Sequence, residues 1–327
     1  MRCFLRRAVR GCGHVLSSTE TNRLSAARPR LHRREFRAMG GPCSVQLYAA
    51  DAAQAQRVGD AVCAEVLRLE RVYSRYRDDS LTTRINRSAG DAQGVEVDEE
   101  TAGLLDYAQQ AHALSGGLFD ITSGVLRGAW DFKSGRLPAQ ARIDALLPRV
   151  GWTRVRWQRP HIVLPLAGME LDFGGYVKEY AADAAAGVAR RHGIAHGLVE
   201  LGGDIAVIGP HPDGAPWRVG IRHPRAPERA LATVELREGG IASSGDYERF
   251  IEIDGQRYCH ILDPRTGWPV RGVAAVSVIA PQCLVAGTAT TIAMLKGAEG
   301  PAWLEELGLP YLCADAEGRL RGSLRTA

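Results

Sequence analysis

The sequence predicts an α+β fold, with mixed or antiparallel sheets and helices segregated from them. Three observations carry that expectation. Strand-like runs accumulate from residue 196 onward ("HGLVEL", "IAVIG", "WRVGIRH", "ATVELR", "GIASSG", "ERFIEI", "VAAVSVIA") with no helical period between them. The strongest helical patterns stand apart from that block. Finally, the chain has neither a G-x-G-x-x-G fingerprint nor a G-x-x-x-x-G-K-[ST] loop, the marks of doubly wound nucleotide-binding sheets.

Taken in order, "CSVQLYA" (43–49) alternates polar and apolar residues and reads as a strand. From Asp51 to Tyr76 the period becomes helical, with Val58, Val62, Val66, Leu69 and Tyr73 at three- and four-residue steps. The polar stretch "RDDSLTTRINRSAGDAQG" reads as a connector. A second helix runs from Asp98 to Ser115, its "DEET" start placing acids at the positive end of the dipole. "RVRWQRPHIVLPLAGMELDFG" reads as a short hairpin with turns at Arg159-Pro160 and Ala167-Gly168, and "KEYAADAAAGVARRHG" (178–193) as an alanine-rich helix closed by Gly193. Helices recur at 284–297 and 300–307. A division near residue 160 and a single intertwined unit are both open at this level.

Composition narrows the class. The chain has 327 residues, 45% hydrophobic and 24% charged, an ordinary globular balance. No apolar run reaches the roughly 18–20 residues of a membrane span. The nominal charge of +4 is uneven: residues 1–37 hold ten arginines against Glu20 and Glu35, leaving residues 38–327 at −4. A mildly acidic body gives no electrostatic footprint for nucleic acid. Residues 1–37 are expected to be a basic, disordered leader or the product of an early start codon, and 38–327 the working domain. Without an apolar h-region the chain reads as cytoplasmic as written, with a periplasmic or membrane-associated setting as the alternative. Seven cysteines without C-x-x-C spacing imply free thiols and no disulfide framework.

Five stretches carry chemistry-bearing residues. In "SGGLFDITSG" (115–124), Asp120 reads first as a cap for the amides that follow. In "ELDFGGYVKEYAAD" (170–183), a strand end delivers Asp172, two glycines permit close approach, and Lys178 opens a helix whose free amides favour an anion. The alternative there is a tight turn with a solvated lysine. "LVELGGDIAVIG" (198–209) places Asp204 in a Gly-Gly turn. "ASSGDYERF" precedes "RYCHILDPRTGWP" (257–269), where His260 stands at a strand end before a "DPRTG" turn. A histidine so placed serves either structure or general-base chemistry.

Together and in this order, these stretches resemble the ApbE family, the FAD:protein FMN transferases. "FRAMGGPCSV" is similar to the family's opening Met-Gly strand, and "YSRYRDDSLTTRIN" to its Ser-x-Tyr…Ser…Asn segment. "SGGLFDITSGVL", "LDFGGYVKEYAAD", "LVELGGDI", "SSGDYERF" and "HILDPRTGWPV" resemble its later blocks, and the likeness spans about Phe36 to Gly297. The resemblance implies a Mg²⁺-assisted transfer of FMN from FAD to a threonine or serine hydroxyl of an acceptor flavoprotein, with AMP released. It implies an acceptor motif of the Ser/Thr-Gly-Ala-Thr type. By position it places Met39, Tyr76, Leu118, Phe119, Asp120, Asp172, Lys178 and Ile261 at the FAD. It makes the Gly175 carbonyl and the Thr291 hydroxyl metal ligands, and His260 the proton acceptor with Asp263 shaping its loop.

The sequence departs from the pattern in "LVAGTATTIAMLKG" (284–297). The family has Ala-Asp-x-x-x-Thr there, and Thr291 falls on the threonine, but Gly287 stands in place of the aspartate. No acidic residue lies within ten positions of it. Glu179 also replaces a customary glycine. The departure leaves three expectations: a transferase holding its metal through Thr291, carbonyls, water and phosphates; an FAD-binding protein with weak or no turnover; or a hydrolase releasing FMN and AMP. A Gly287→Asp substitution is expected to raise metal affinity and activity if the missing carboxylate matters, and to leave the metal dependence unchanged if coordination is solved another way.

Overall fold

An eight-stranded antiparallel sheet organises the molecule in the computed structural model, which describes residues 28–226 and 228–325. The first half comprises β1 (Arg30–Ala38), β2 (Gly41–Ala49), α1 (Ala52–Tyr73), α2 (Leu81–Arg87), β3 (Val95–Glu96) and α3 (Glu99–Leu114). Then come α4 (Gln140–Leu146), β4 (Arg156–Gln158), β5 (His161–Val163), α5 (Val177–Arg191), β6 (Gly197–Leu201), β7 (Asp204–Gly209), β8 (Trp217–Arg222) and β9 (Ala230–Leu236). The chain continues through β10 (Gly240–Gly245), β11 (Phe250–Ile253), β12 (Gln256–Cys259) and β13 (Val273–Ala280). It finishes with α6 (Cys283–Lys296), α7 (Gly300–Leu307), β14 (Tyr311–Asp315) and β15 (Leu320–Gly322).

The main sheet runs β1-β2-β6-β7-β10-β13-β14-β15. Strands from both sides of residue 160 are hydrogen-bonded neighbours in it, β2 pairing with β6, so the chain does not divide there. Strand β7 is buried on both faces, and its alternation shows why. Ala206 and Ile208 join the helical core under α1 and α5, while Ile205 and Val207 face the β8–β9 hairpin with Trp217, Val219, Val234 and Leu236. Helix α6 packs on β10 and β13 and against α5.

Three segments differ from the sequence reading. Strand β1 begins at Arg30, eight residues inside the segment assigned to the leader; residues 1–27 of that assignment lie outside the described residues. Its charged, mostly exposed side chains suit the edge of a sheet, and that composition hides the strand. Met39 and Gly40, read as part of a strand, form the β1–β2 turn, both with positive φ (53° and 78°). Within the polar connector, Ser80 caps α2 by accepting from the Thr83 amide, and Leu81 and Ile85 supply its apolar stripe.

The start of α6 is held from outside. Gln282 gives it no side-chain cap, but Asp183 on α5 accepts from the amides of Cys283 (3.0 Å) and Leu284 (2.9 Å). Burial raises the Asp183 pKa, and these two amides pull it partly back. Asp183→Ala is expected to destabilise the protein by about 1–2 kcal/mol through loss of this cap, read as a shifted urea midpoint with an unchanged m-value.

Candidate active site

Asp172 is delivered to its place by a clamp. Asn86, at the end of α2, donates to the Leu171 carbonyl (3.0 Å) and accepts from the Leu171 amide (2.7 Å), fixing the backbone one residue before it. The Asp172 carboxylate then accepts from the Gly174 amide (2.8 Å) and from Arg75 (3.1 Å), and pairs with Arg127 at 3.2 Å. Burial opposes ionisation, but the Arg127 and Arg75 guanidiniums outweigh it and hold the pKa below the usual carboxylate value. Asp172 is thus committed to the chain's own donors. Beside it stands a pair of fixed cations, Arg75 and Arg127, which the sequence reading did not single out.

Asp120 is committed in the same way. Its Oδ1 accepts from the Thr122 amide (2.8 Å) and hydroxyl (2.6 Å), and its Oδ2 from the Trp152 amide (2.8 Å). The capping reading of this residue fits the geometry, with Oδ2 accepting the Trp152 amide alone. Phe119 differs too: it is buried edge-on against Tyr176 (5.9 Å) and lies beneath Gly175. It supports the glycine turn and offers no free face for stacking. Leu118 is buried beside it, whereas Tyr76 is 77% exposed, with Arg127 donating to its hydroxyl at 3.5 Å. Met39 and Ile261 are partly buried against the main core.

Beyond Asp172, a 3-10 turn at Phe173–Gly175 leads into α5. Gly174 and Gly175 are exposed there, so backbone groups are open to a ligand. Lys178, in the first turn of α5, pairs with Asp204 from the β6–β7 turn and with Glu179 at 3.1 Å. Asp204 is fixed in turn by the Ser243 amide (3.0 Å).

Glu179 is buried, and its Oε2 has no hydrogen-bond partner. An orphaned carboxylate oxygen costs on the order of 1–3 kcal/mol in desolvation, so its surroundings matter. It lies against Gly287 of α6: a Cβ built there stands 2.4 Å from Glu179 Cγ and 2.8 Å from Cδ. Sequence distance hides this acid: no carboxylate lies near Gly287 along the chain, and Glu179 reaches it across from α5. Thr291 lies one turn beyond Gly287 on the same side of α6. Among the described residues no three His, Cys, Asp or Glu side chains gather as a metal cluster. One carboxylate with hydroxyl and carbonyl oxygens is nevertheless the kind of donor set that fits Mg²⁺, which takes oxygen ligands and keeps several waters.

His260 follows β12. Its Nδ1 is buried without a partner, and burial, with Arg249 and Arg127 adding to it, lowers its pKa to about 4. It is therefore a neutral imidazole at pH 7. Arg127 touches Asp172 and acts on His260, tying the two parts of the site together. Asp263 closes the next turn. Its carboxylate accepts from the Arg265 amide (2.8 Å) and pairs with the Arg265 side chain (2.7 Å), and Trp130 donates to the Gly267 carbonyl (2.9 Å).

The chain belongs to the ApbE family, whose family model matches residues 39–313. The FAD:protein FMN transferase of Treponema pallidum is 32% identical over 319 residues, covering 91% of this chain and 88% of that protein. The FAD:protein FMN transferase of Salmonella typhimurium is 30% identical over 295 residues, covering 87% and 84%. The fold is similar to the crystal structure of the Thermotoga maritima ApbE protein, with TM-score 0.82, 28% identity, and coverage of 90% and 97%. It is similar also to the apo form of the Pseudomonas stutzeri flavinyl transferase ApbE, with TM-score 0.80, 29% identity, and coverage of 92% and 96%.

Proposed function

We propose that this chain is an FAD:protein FMN transferase, a transferase that moves FMN from FAD to a hydroxyl of an acceptor flavoprotein and releases AMP. The observation that carries this reading is the extent of the likeness: relatives bearing that name align over more than four fifths of the chain. The acceptor hydroxyl belongs to a threonine or serine in a Ser/Thr-Gly-Ala-Thr-type motif.

Attack on a diphosphate needs charge neutralisation and in-line positioning more than covalent help. Arg75 and Arg127, fixed by Asp172, supply positive charge beside the exposed Gly174–Gly175 backbone. Lys178 adds a third cation at the start of α5, where free amides favour an anion. Met39, Tyr76, Lys178 and Ile261 border the flavin nucleotide, while Leu118, Phe119, Asp120 and Asp172 hold the loops that frame it. The neutral imidazole of His260 accepts the proton of the attacking hydroxyl, and Asp263 fixes the turn that follows it.

Mg²⁺, when bound, neutralises phosphate charge as the diphosphate is cleaved. The Gly175 carbonyl and the Thr291 hydroxyl would hold it. The expectation of a protein that binds FAD with little turnover rested on the absence of any acid near Gly287. Glu179, packed against Gly287 from α5, supports the transferase reading over that one.

The test is direct. Purified protein incubated with FAD, Mg²⁺ and a threonine-bearing acceptor domain is expected to give a covalently fluorescent acceptor band. A chain that binds FAD at micromolar concentration yet gives no band with any such acceptor would falsify the transfer step.

A further inference from the structure

We propose that Glu179 is the carboxylate ligand of the divalent cation, supplied from α5 into the space that a side chain at position 287 of α6 would otherwise fill. The inference rests on the reading above and adds a residue to it. Three observations point the same way. The Glu179 side chain occupies the cradle that the missing Cβ of Gly287 leaves, with Oε1 3.1 Å from that Cβ position. Its Oε2 is buried and has no donor, which is unusual for a carboxylate in a folded interior. Thr291 stands one helical turn along α6 from Gly287, and the Phe173–Gly175 turn packs against the same helix.

A purely structural role accounts for half of this. An acid in the first turn of α5 complements the helix dipole, and Oε1 pairs with Lys178. Neither explains why the other oxygen is turned inward without a partner, or why the facing position on α6 holds no side chain. A hard cation with oxygen ligands explains both. The donor set selects the Mg²⁺ and Mn²⁺ class, with waters and substrate phosphates filling the remaining positions.

The experiment is a Mn²⁺ titration followed by electron paramagnetic resonance, with and without saturating FAD, on four proteins: wild type, Glu179→Gln, Gly287→Asp, and the double exchange Glu179→Gly with Gly287→Asp. Glu179→Gln keeps the shape and is expected to weaken Mn²⁺ on the order of tenfold or more. Gly287→Asp alone is expected to bind Mn²⁺ no better than wild type and to melt lower, because its Cβ collides with Glu179. This reverses the gain expected from the sequence. The double exchange returns a carboxylate to the cradle from the other helix and is expected to recover affinity to within a few-fold, which also tests the idea should Glu179→Gln fold poorly. Wild-type Mn²⁺ affinity in Glu179→Gln, or tighter binding by Gly287→Asp at an unchanged melting temperature, overturns the assignment while leaving FAD binding and transfer intact. Loss of FAD binding by the wild type itself would instead defeat the transferase reading, and the Mn²⁺-alone arm still decides the role of Glu179.

Discussion

Asp172→Ala is expected to destabilise the fold by about 3 kcal/mol, at the low end of what removing one partner from a buried ion pair costs. The substitution leaves Arg75 and Arg127 side by side without the carboxylate that both contact. The close approach of Asp172 Cβ to Gly124 is kept by alanine, so the loss is that of the carboxylate. The low end is appropriate because Arg127 retains partial access to water and Arg75 keeps Glu170 and the Gly124 carbonyl. Urea denaturation at pH 7 measures the effect, and pH gives it a sign. The folded pKa of Asp172 lies below its unfolded value of 3.8, so its contribution is present above that value. It is lost as pH falls through the folded value, and the wild-type and variant stabilities should converge there. A difference that persists undiminished at lower pH would assign the effect to packing instead.

His260→Ala is expected to lower the transfer rate by about 10²–10⁴-fold, the usual contribution of a positioned general base. FAD affinity should change only a few-fold. The stability consequence runs the other way. With a folded pKa of about 4 against an unfolded 6.5, His260 resists protonation in the fold, and the unfolded chain binds the proton first. Wild-type stability therefore falls as pH drops from about 6.5 to 4, by up to about 3 kcal/mol. The alanine variant lacks this group and should be less acid-sensitive across that window. Thermal melts at pH 7 and pH 5 read this shift independently of the reaction. A variant with a near-wild-type transfer rate would remove His260 from the chemistry.

The sequence was most informative where local pattern and burial coincide. Helix α1 keeps Val58, Val62, Val66 and Leu69 on one buried stripe, so its period is visible. Strands β7 and β13 are buried on both faces and read as apolar runs. Strand β1 was illegible because an edge strand needs little apolar surface. Helix α2 was illegible because two apolar residues and a serine cap suffice for seven residues held by tertiary contact.

The same division holds for the site. Residue types and order single out Asp172, Lys178, His260 and Thr291 as candidates, because motif spacing survives in a one-dimensional string. The pairings of Asp172 with Arg75 and Arg127, and of Gly287 with Glu179, join residues from separate elements. Only the packing of those elements reveals them. For Asp120 and Phe119 the motif singles out the residues, and the structure adds the contacts by which they brace their loops.

The close fit between α5 and α6 also constrains how this cleft changes by mutation. With Asp183 pinning the two helices together, positions 179 and 287 compete for one side-chain volume. A side chain added at 287 obliges the one at 179 to shift or shrink, and glycine at both positions would leave that volume empty. Moving a side chain from one helix to the other therefore takes two coordinated substitutions, and either one alone leaves the contact overfilled or hollow.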